Sequence, residues 1–375
     1  MKKTLLATAI AASLAASGAQ AATVYNQDGT KLDIYGNIQI AYYNTEAAIL
    51  EDSEAGETVV TGSDSSDGIA DNGTTFGFAA EHVINDGLTG YLKLEFDDIK
   101  ADEMKTANDA TDSGDQAYVG LRGNFGDVRV GSYDQLIDDW IQDPITNNEG
   151  FDVSDSTVAH GGGANQETDK VTYTSPSFSG MQFAVGTQYK GDFDSADNGA
   201  NANDVVIDDD SSNASFFGGA KYTAGAFSIA AVYDNLDNVQ YIDGNNDVDS
   251  VGDQYGITAQ YTVDTLRLAL KVERFDSDIS DGDDTNFYGL GARYGYGNGD
   301  IYAAYQYVDV GAGTFLSELD ETLQDEQDRD ETYNEVILGA NYSISDAMYV
   351  WTEVAFYDRE FDESDGVGVG VTYLF

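Results

Sequence analysis

Apolar and polar residues alternate along most of this chain, in segments of about ten residues that recur from one end to the other. In the last segment, Val367, Val369 and Val371 alternate with glycine and threonine. In residues 266–273, aliphatic side chains alternate with mostly charged ones. A strand points successive side chains to opposite faces, whereas a helix would scatter these charges around its surface. The pattern therefore predicts β-strands over most of the chain.

The connections between these segments alternate between short and long. Short connections, such as residues 85–87 and 298–299, carry residue types that tolerate positive φ in tight hairpins. The long connections hold most of the acidic residues, and they lie at roughly 45–73, 100–114, 135–169, 191–212, 237–252, 277–284 and 311–332, with a shorter one near 361–364. In bacterial outer-membrane barrels, short turns face the periplasm and long loops face outside.

The segment count predicts an all-β fold, a transmembrane antiparallel β-barrel of about sixteen strands, which is an even number as bacterial barrels require. The strands are expected to begin near residues 31, 74, 88, 115, 127, 170, 181, 214, 226, 253, 266, 285, 301, 333, 347 and 366. A soluble β-sandwich would also alternate, but its inward face is the apolar one. Here the other faces carry Gly, Thr, Gln, Lys and Glu, which suit a water-filled interior.

Tyrosines stand at the ends of many apolar faces. Such positions suit the aromatic girdles that mark the two surfaces of a membrane. Tyr35 is an exception, because it shares the polar face of its strand. The tyrosines assigned to girdles are Tyr42, Tyr222, Tyr261, Tyr294, Tyr296, Tyr305, Tyr307 and Tyr342.

The N-terminus reads as a secretory signal peptide. A short basic region precedes an apolar run from Thr4 to Ala16, and Ala19-Gln-Ala21 is a small-x-small cleavage site. We therefore predict a signal peptide over residues 1–21 and a single barrel domain over residues 22–375. The chain has no cysteine, so disulfides and thiolate metal sites are excluded.

The charge is strongly acidic, with 68 acidic and 17 basic residues and a net charge of −51. No basic patch exists to neutralise phosphates, which excludes nucleic acid as a partner. An intrinsically disordered acidic protein is excluded by 25 tyrosines and 17 phenylalanines in ordered patterns. Mean hydropathy is −0.36, as expected of strands in which only alternate residues face lipid.

The sequence contains no recognisable set of catalytic residues, and we predict that the chain is not an enzyme. The two histidines are His82, near a turn, and His160, in a loop, and neither has a serine at a plausible spacing. Acidic runs such as residues 243–248 lack the glycine of a calcium-binding loop. No cofactor and no metal are predicted.

Several stretches resemble the general porins of Gram-negative bacteria. They are residues 22–36 at the predicted mature start, Leu88-Thr-Gly-Tyr91, residues 117–122 and 128–131, and the final Tyr373-Leu-Phe375. The resemblance implies a trimeric diffusion channel in the cell outer membrane. It also implies that the third long loop, about residues 134–169, folds inward to narrow the pore. After Pro144 the chain departs from the pattern of the enteric members.

Pore-lining charges are the candidate functional residues. The alternation of side chains along each strand predicts that eight charged residues face the lumen: Lys93, Glu95, Arg122, Arg129, Lys221, Arg267, Lys271 and Arg293. The inward loop would add Asp134, Asp138, Asp139, Asp143, Glu149, Asp152 and Asp155. Opposed charges across a constriction orient polar solutes, and an acidic excess favours cations. Tyr373 and Phe375 are the candidate assembly signal.

The predicted function is passive diffusion of small hydrophilic solutes and ions, with cation selectivity. The expected partners are two further copies of the chain, outer-membrane lipid, lipopolysaccharide, the outer-membrane assembly machinery and the solutes themselves. Two alternatives stay open. One is a substrate-specific channel, and the other is a barrel that acts mainly as an adhesin or surface receptor.

Overall fold

The computed structural model describes residues 21–52, 58–97, 99–102, 105–106, 114–145, 148–159, 168–189, 214–238, 240–242, 248–278, 284–310, 332–358 and 364–375. The predicted signal peptide up to residue 20, His160 and most of the long loops lie outside these ranges.

Strands account for most of the described residues. The first half of the chain contains β1 (Ala22–Gln27), β2 (Thr30–Asp52), β3 (Thr58–Asp71), β4 (Phe76–Asn85), β5 (Leu88–Phe96), β6 (Ile99–Lys100), β7 (Lys105–Thr106), β8 (Gly114–Gly123), β9 (Gly126–Ser132), β10 (Lys170–Thr174) and β11 (Met181–Tyr189). The second half contains β12 (Ala214–Ala224), β13 (Phe227–Asp234), β14 (Gln240–Ile242), β15 (Val248–Ser250), β16 (Gly252–Val263), β17 (Leu266–Ser277), β18 (Thr285–Gly295), β19 (Asp300–Asp309), β20 (Thr332–Ser345), β21 (Met348–Tyr357) and β22 (Gly366–Leu374). A π-helical turn, Asp138–Gln142, and the short helix α1 (Ser156–Ala159) lie between β9 and β10.

Sixteen of these strands form a closed antiparallel barrel, which confirms the predicted fold class. Each barrel strand pairs with the next along the chain, and β22 closes the ring against β2 from Asn37↔Leu374 to Thr45↔Gly366. Every predicted strand start lies within two residues of an observed one. The agreement follows from the physics of the wall, because each strand separates lipid from the interior by itself and so carries its own alternation.

The expected loop at 45–73 is wrong. Strand β2 continues to Asp52, and β3 returns beside it from Thr58 to Asp71. This hairpin is held by polar cross-strand contacts, such as the Tyr42 hydroxyl donating to Asp67 Oδ2 at 3.3 Å and Asn44 Nδ2 donating to Ser65 Oγ at 2.8 Å. Because it has no apolar face to bury, hydrophobic alternation does not reveal it.

Strand β1 is also additional to the prediction. It pairs with the start of β2 from Ala22↔Ile34 to Gln27↔Thr30. The connecting Asp28 and Gly29 both have positive φ, 51° and 76°, as the tight turn of a two-residue hairpin requires. Short strand pairs, β6 with β7 and β14 with β15, likewise occur where loops were expected.

The two faces of the wall differ as a membrane barrel requires. Outward residues such as Val272, Leu290 and Val369 are about half exposed and form an apolar belt. The girdle tyrosines lie on this outer face, and all except Tyr307 are among the exposed large side chains. Tyr35 is buried on the opposite, inner face, as its position in the alternation of its strand predicts. No helix in the described parts of the chain has the length and hydropathy to cross a membrane.

Candidate functional site

The segment between β9 and β10 lies inside the barrel. Its side chains pack against wall residues whose strand neighbours Phe183, Val185 and Ile229 are exposed on the opposite, outer face. The packed cluster consists of Leu136, Ile137, Trp140 and Ile141 from the segment and Ala184, Phe217, Ala230 and Val232 from the wall. We call residues 133–159, as far as they are described, the inward segment.

Part of the wall beneath the inward segment is built from glycine and alanine. A Cβ added at Gly291 would lie 2.8 Å from Ile145 Cα, and one at Gly256 would lie 2.6 Å from Ile141 Cγ2. On the neighbouring strands, Ala269 and Ala304 belong to a second buried cluster with Ile145. Because these positions have small side chains or none, the segment lies directly on the strand backbones.

Glu353 on β21 holds the segment by its backbone. Its carboxylate accepts hydrogen bonds from the N–H groups of Glu149 at 2.5 Å, Gly150 at 2.7 Å and Phe151 at 2.9 Å. The Tyr302 hydroxyl also donates to Glu353, at 2.5 Å. Glu353 is 1% exposed, so these four donors satisfy a carboxylate that is shielded from water.

Two more buried glutamates on the wall accept hydrogen bonds from the inward segment. Glu335 on β20 accepts from the Ser154 N–H at 2.8 Å and from its hydroxyl at 2.6 Å. Glu273 on β17 accepts from the Ser156 N–H at 2.9 Å, and Lys271 Nζ lies 2.9 Å from its other oxygen. Three carboxylates on three strands therefore fix the described end of the segment, residues 149–156, against the wall.

Sequence reasoning missed the role of these glutamates. The alternation in residues 266–273 places Glu273 on the polar face of its strand, and no pattern or motif in the sequence identifies Glu335 or Glu353 as contacts of the inward segment. For Glu335 and Glu353, the available signal was an acidic residue at an inward position whose neighbours on the same face are apolar or aromatic. That signal marks a buried carboxylate that needs a partner, but it does not identify the partner.

Several of the predicted charges are brought together near the start of the segment. Asp134 accepts from Gln116 Nε2 at 2.8 Å, and Gln116 Oε1 accepts from Lys93 Nζ at 2.9 Å. Lys93 also lies 3.1 Å from Glu95. Charges of opposite sign are therefore direct neighbours on this side of the lumen.

Arg129 is the basic partner of the π-helical turn. Its Nη2 lies 3.7 Å from Asp139 Oδ2, and its guanidinium lies 3.9 Å from the centre of the Tyr133 ring. Arg122 is separate, because it pairs at 2.5 Å with Glu81 near a short turn. The structure therefore groups Arg129 with the segment and leaves Arg122 apart from it.

Glu149 is bound to the wall. Its carboxylate accepts from the Tyr349 hydroxyl at 2.9 Å and from Asn341 Nδ2 at 3.3 Å, and Arg293 Nη2 lies 3.9 Å away. The side chain is only 12% exposed. Glu149 therefore has direct partners on the wall, whereas Asp143 is open to lumenal water.

Five carboxyl groups of the segment have raised pKa values. Burial inside the barrel, with the charges of Asp139 and Asp134, raises the pKa of Asp143 to about 7. Although this side chain opens to the lumen, the surrounding wall displaces much of the bulk water. Burial and the charge of Asp155 raise the pKa of Asp152 to about 7.

The pKa values of Asp138, Asp139 and Glu149 are also raised, chiefly by burial. For Asp139 the charge of Arg129 opposes this shift, and for Glu149 the Tyr349 hydrogen bond does so. Near neutral pH, the negative charge of the segment therefore depends on pH.

Among the described residues, no group of three or more His, Asp or Glu side chains is placed to hold a metal ion. His82 lies on β4, and its Nδ1 is 2.7 Å from Thr30 Oγ1.

Comparison with known proteins gives a consistent picture. A family profile described as Gram-negative porin matches residues 7–373. A "Monosaccharide porin" of Halomonas sp and a "Major outer membrane protein" of Halomonas elongata are each 60% identical over 389 residues, which covers 100% of both chains.

Solved structures share the fold at low identity. The "Anion-selective porin from Comamonas acidovorans" is 17% identical, covers 92% of this chain and 100% of its own, and gives a TM-score of 0.66. Salmonella typhi OmpF, solved with daunomycin, is 20% identical, covers 94% and 100%, and gives a TM-score of 0.64.

Proposed function

Because the chain belongs to the Gram-negative porin family and to the outer membrane, we propose that it passes small hydrophilic solutes and ions by passive diffusion and prefers cations. The observation that supports the proposal is the acidic inward segment, whose apolar side chains pack on the inner face of the wall and which places acidic residues in the lumen. Lys93 and Arg129 each lie beside a carboxylate, whereas Asp143 is exposed to the lumen. The surplus acidic residues therefore set the sign of the lumenal potential.

We expect a cation-selective reversal potential in a potassium chloride gradient. Selectivity should decline as salt rises, because the Debye length falls to about 3 Å at 1 M. Replacing Asp138, Asp139 and Asp143 together by asparagine should reduce cation selectivity, most strongly above about pH 8, because the raised pKa values of these carboxyl groups lower their charge at neutral pH. Asp67→Asn, in the hairpin of β2 and β3, is the control, since it removes a charge outside the lumen. An anion-selective wild-type potential would reject this electrostatic interpretation.

Cation selectivity should also rise with pH between about 6 and 8. The pKa values of Asp143 and Asp152 are both raised to about 7, so these groups are largely protonated below that pH and ionised above it. Reversal potentials measured across this range provide the test. Asp143→Asn should reduce the pH response, and an identical response in wild type and variant would contradict the assignment.

A second candidate function is a preference for monosaccharides. It is favoured by the full-length relative named "Monosaccharide porin", which is 60% identical to this chain. Liposome-swelling rates separate the two functions. A general diffusion pore should admit hexoses and linear polyols according to size, whereas a preference would make one hexose faster than polyols of the same mass. An adhesin or receptor without a conducting pore would show no swelling.

We also propose a homotrimer. Among solved structures of the same fold, a Vibrio cholerae OmpT is described in a trimer form. Gly36 on the first barrel strand is not part of an open packing surface, because a Cβ there would lie 2.8 Å from Phe375 Cζ. Light scattering with detergent correction should give three times the chain mass, and a monomer mass would reject the trimer. Outer-membrane lipid, lipopolysaccharide and the assembly machinery are the remaining proposed partners.

A further inference from the structure

Two arginines stand side by side on the lumenal wall, away from Arg129 and Lys93. Arg267 on β17 and Arg293 on β18 are direct cross-strand partners. Both are at inward positions close to short turns, so they lie on the periplasmic side of the inward segment. Like charges directly opposite each other on neighbouring strands repel, so this pair needs compensation from another group.

The two arginines differ in their partners. Arg293 Nη2 lies 3.5 Å from Asp300 and 3.9 Å from Glu149, and its guanidinium lies 4.6 Å from the centre of the Tyr302 ring. Within the part of the chain that the structure describes, the side chain of Arg267 makes no hydrogen bond, ion pair or ring contact. Asp143 and Asp300 act on it electrostatically without contacting it.

The pair borders a small cleft beneath the inward segment. Pro144, Ile145 and Asn148 form one side of this cleft, and Arg267, Arg293 and Tyr302 form the other. The cleft holds no more than about one water molecule, so a solute group would bind at its lumenal mouth. Arg293 is held in place by its acidic partners and the Tyr302 ring, while the donors of Arg267 remain available.

We propose that Arg267 and Arg293 form a binding subsite for the oxyanion group, carboxylate or phosphate, of a small anionic solute. Planar guanidinium groups donate paired hydrogen bonds to such groups, and an anion between them removes their mutual repulsion. The inference rests on the proposed pore function. It implies that a channel with an overall preference for cations retains a local step for anionic solutes.

Blocking of single-channel current by inorganic phosphate tests the subsite, and gluconate serves as the carboxylate probe. Phosphate or gluconate should reduce the wild-type current in a concentration-dependent way. Arg267→Gln should raise the half-blocking concentration about tenfold, which corresponds to about 1.4 kcal/mol. Arg267→Lys should give an intermediate value, because it keeps the charge and loses the paired donors.

Arg122→Gln is the matched control. It removes one lumenal arginine that already has a carboxylate partner, Glu81, and should leave the half-blocking concentration within about twofold. An equal effect of Arg122→Gln and Arg267→Gln would mean a general lumenal potential and overturn the subsite.

Normal conductance without block by either probe would also overturn the subsite and leave the proposed function intact. Phosphorus-31 NMR titration of the protein in detergent measures binding without conduction. Phosphate broadening that disappears in Arg267→Gln would support the subsite, and absence of broadening in wild type would reject it. A wild-type protein that does not conduct would reject the proposed function instead.

Discussion

Replacing Glu353 by alanine is expected to release the inward segment, raise single-channel conductance and increase current noise. The carboxylate accepts three backbone N–H groups of the segment and the Tyr302 hydroxyl. Its loss leaves these donors without an acceptor in a site that is shielded from water. Removing one side of a buried charged network typically costs about 3–5 kcal/mol, more than a single surface interaction contributes.

Planar-bilayer conductance and the temperature at which the barrel unfolds in SDS measure the two consequences of Glu353→Ala. Glu353→Gln should be intermediate, because one acceptor oxygen remains. The control is Glu81→Ala, which removes an exposed lumenal glutamate paired with Arg122, and we expect a change of less than about 1 kcal/mol. Wild-type conductance and noise in correctly folded Glu353→Ala would show that Glu353 does not restrain the segment.

Replacing Phe375 by aspartate is expected to abolish most of the assembled barrel. Phe375 and Gly36 exchange two backbone hydrogen bonds of 3.0 Å where the first and last barrel strands meet. The Phe375 ring covers Gly36 and lies 6.4 Å, centre to centre, from the ring of Phe76. A charge there would disrupt apolar packing at the closing seam, and the family resemblance implies that the same residue is read during assembly.

The yield of heat-modifiable barrel in outer membranes measures the effect, and Phe375→Tyr, which keeps the ring, is the control. Refolding of purified protein into detergent separates the two causes. A seam defect should lower refolding of Phe375→Asp without any cellular factor, whereas loss of a signal alone should leave it unchanged. Normal levels of assembled Phe375→Asp in cells would contradict both.

The barrel was predictable because each strand contacts lipid on one face and the interior on the other. In β17, for example, Leu268 and Leu270 are exposed on the outer face while Ala269 and Lys271 are buried on the inner one. Because this alternation can be identified from a few consecutive residues, the first residue of each barrel strand could be predicted separately. Strand β3 escaped prediction because its cross-strand contacts are polar and it has no apolar face.

The inward segment shows the limit of such reasoning. Its presence inside the barrel was implied by resemblance alone, and its charges were identified by residue type. Their partners were not, because the contacts join distant parts of the chain. Glu149 and Glu353, whose backbone N–H and carboxylate meet at 2.5 Å, are 204 residues apart.

The sequence by itself determined the sixteen barrel strands, their alternating faces and the acidic excess, since all of these follow from local periodicity and composition. Only the tertiary structure decided which charges are direct neighbours. It placed Glu273, Glu335 and Glu353 against the inward segment and Arg267 beside Arg293. The physical reason is that closing the barrel sets the register of distant strands, and a carboxylate or guanidinium then interacts with whatever donor or charge that closure brings within reach.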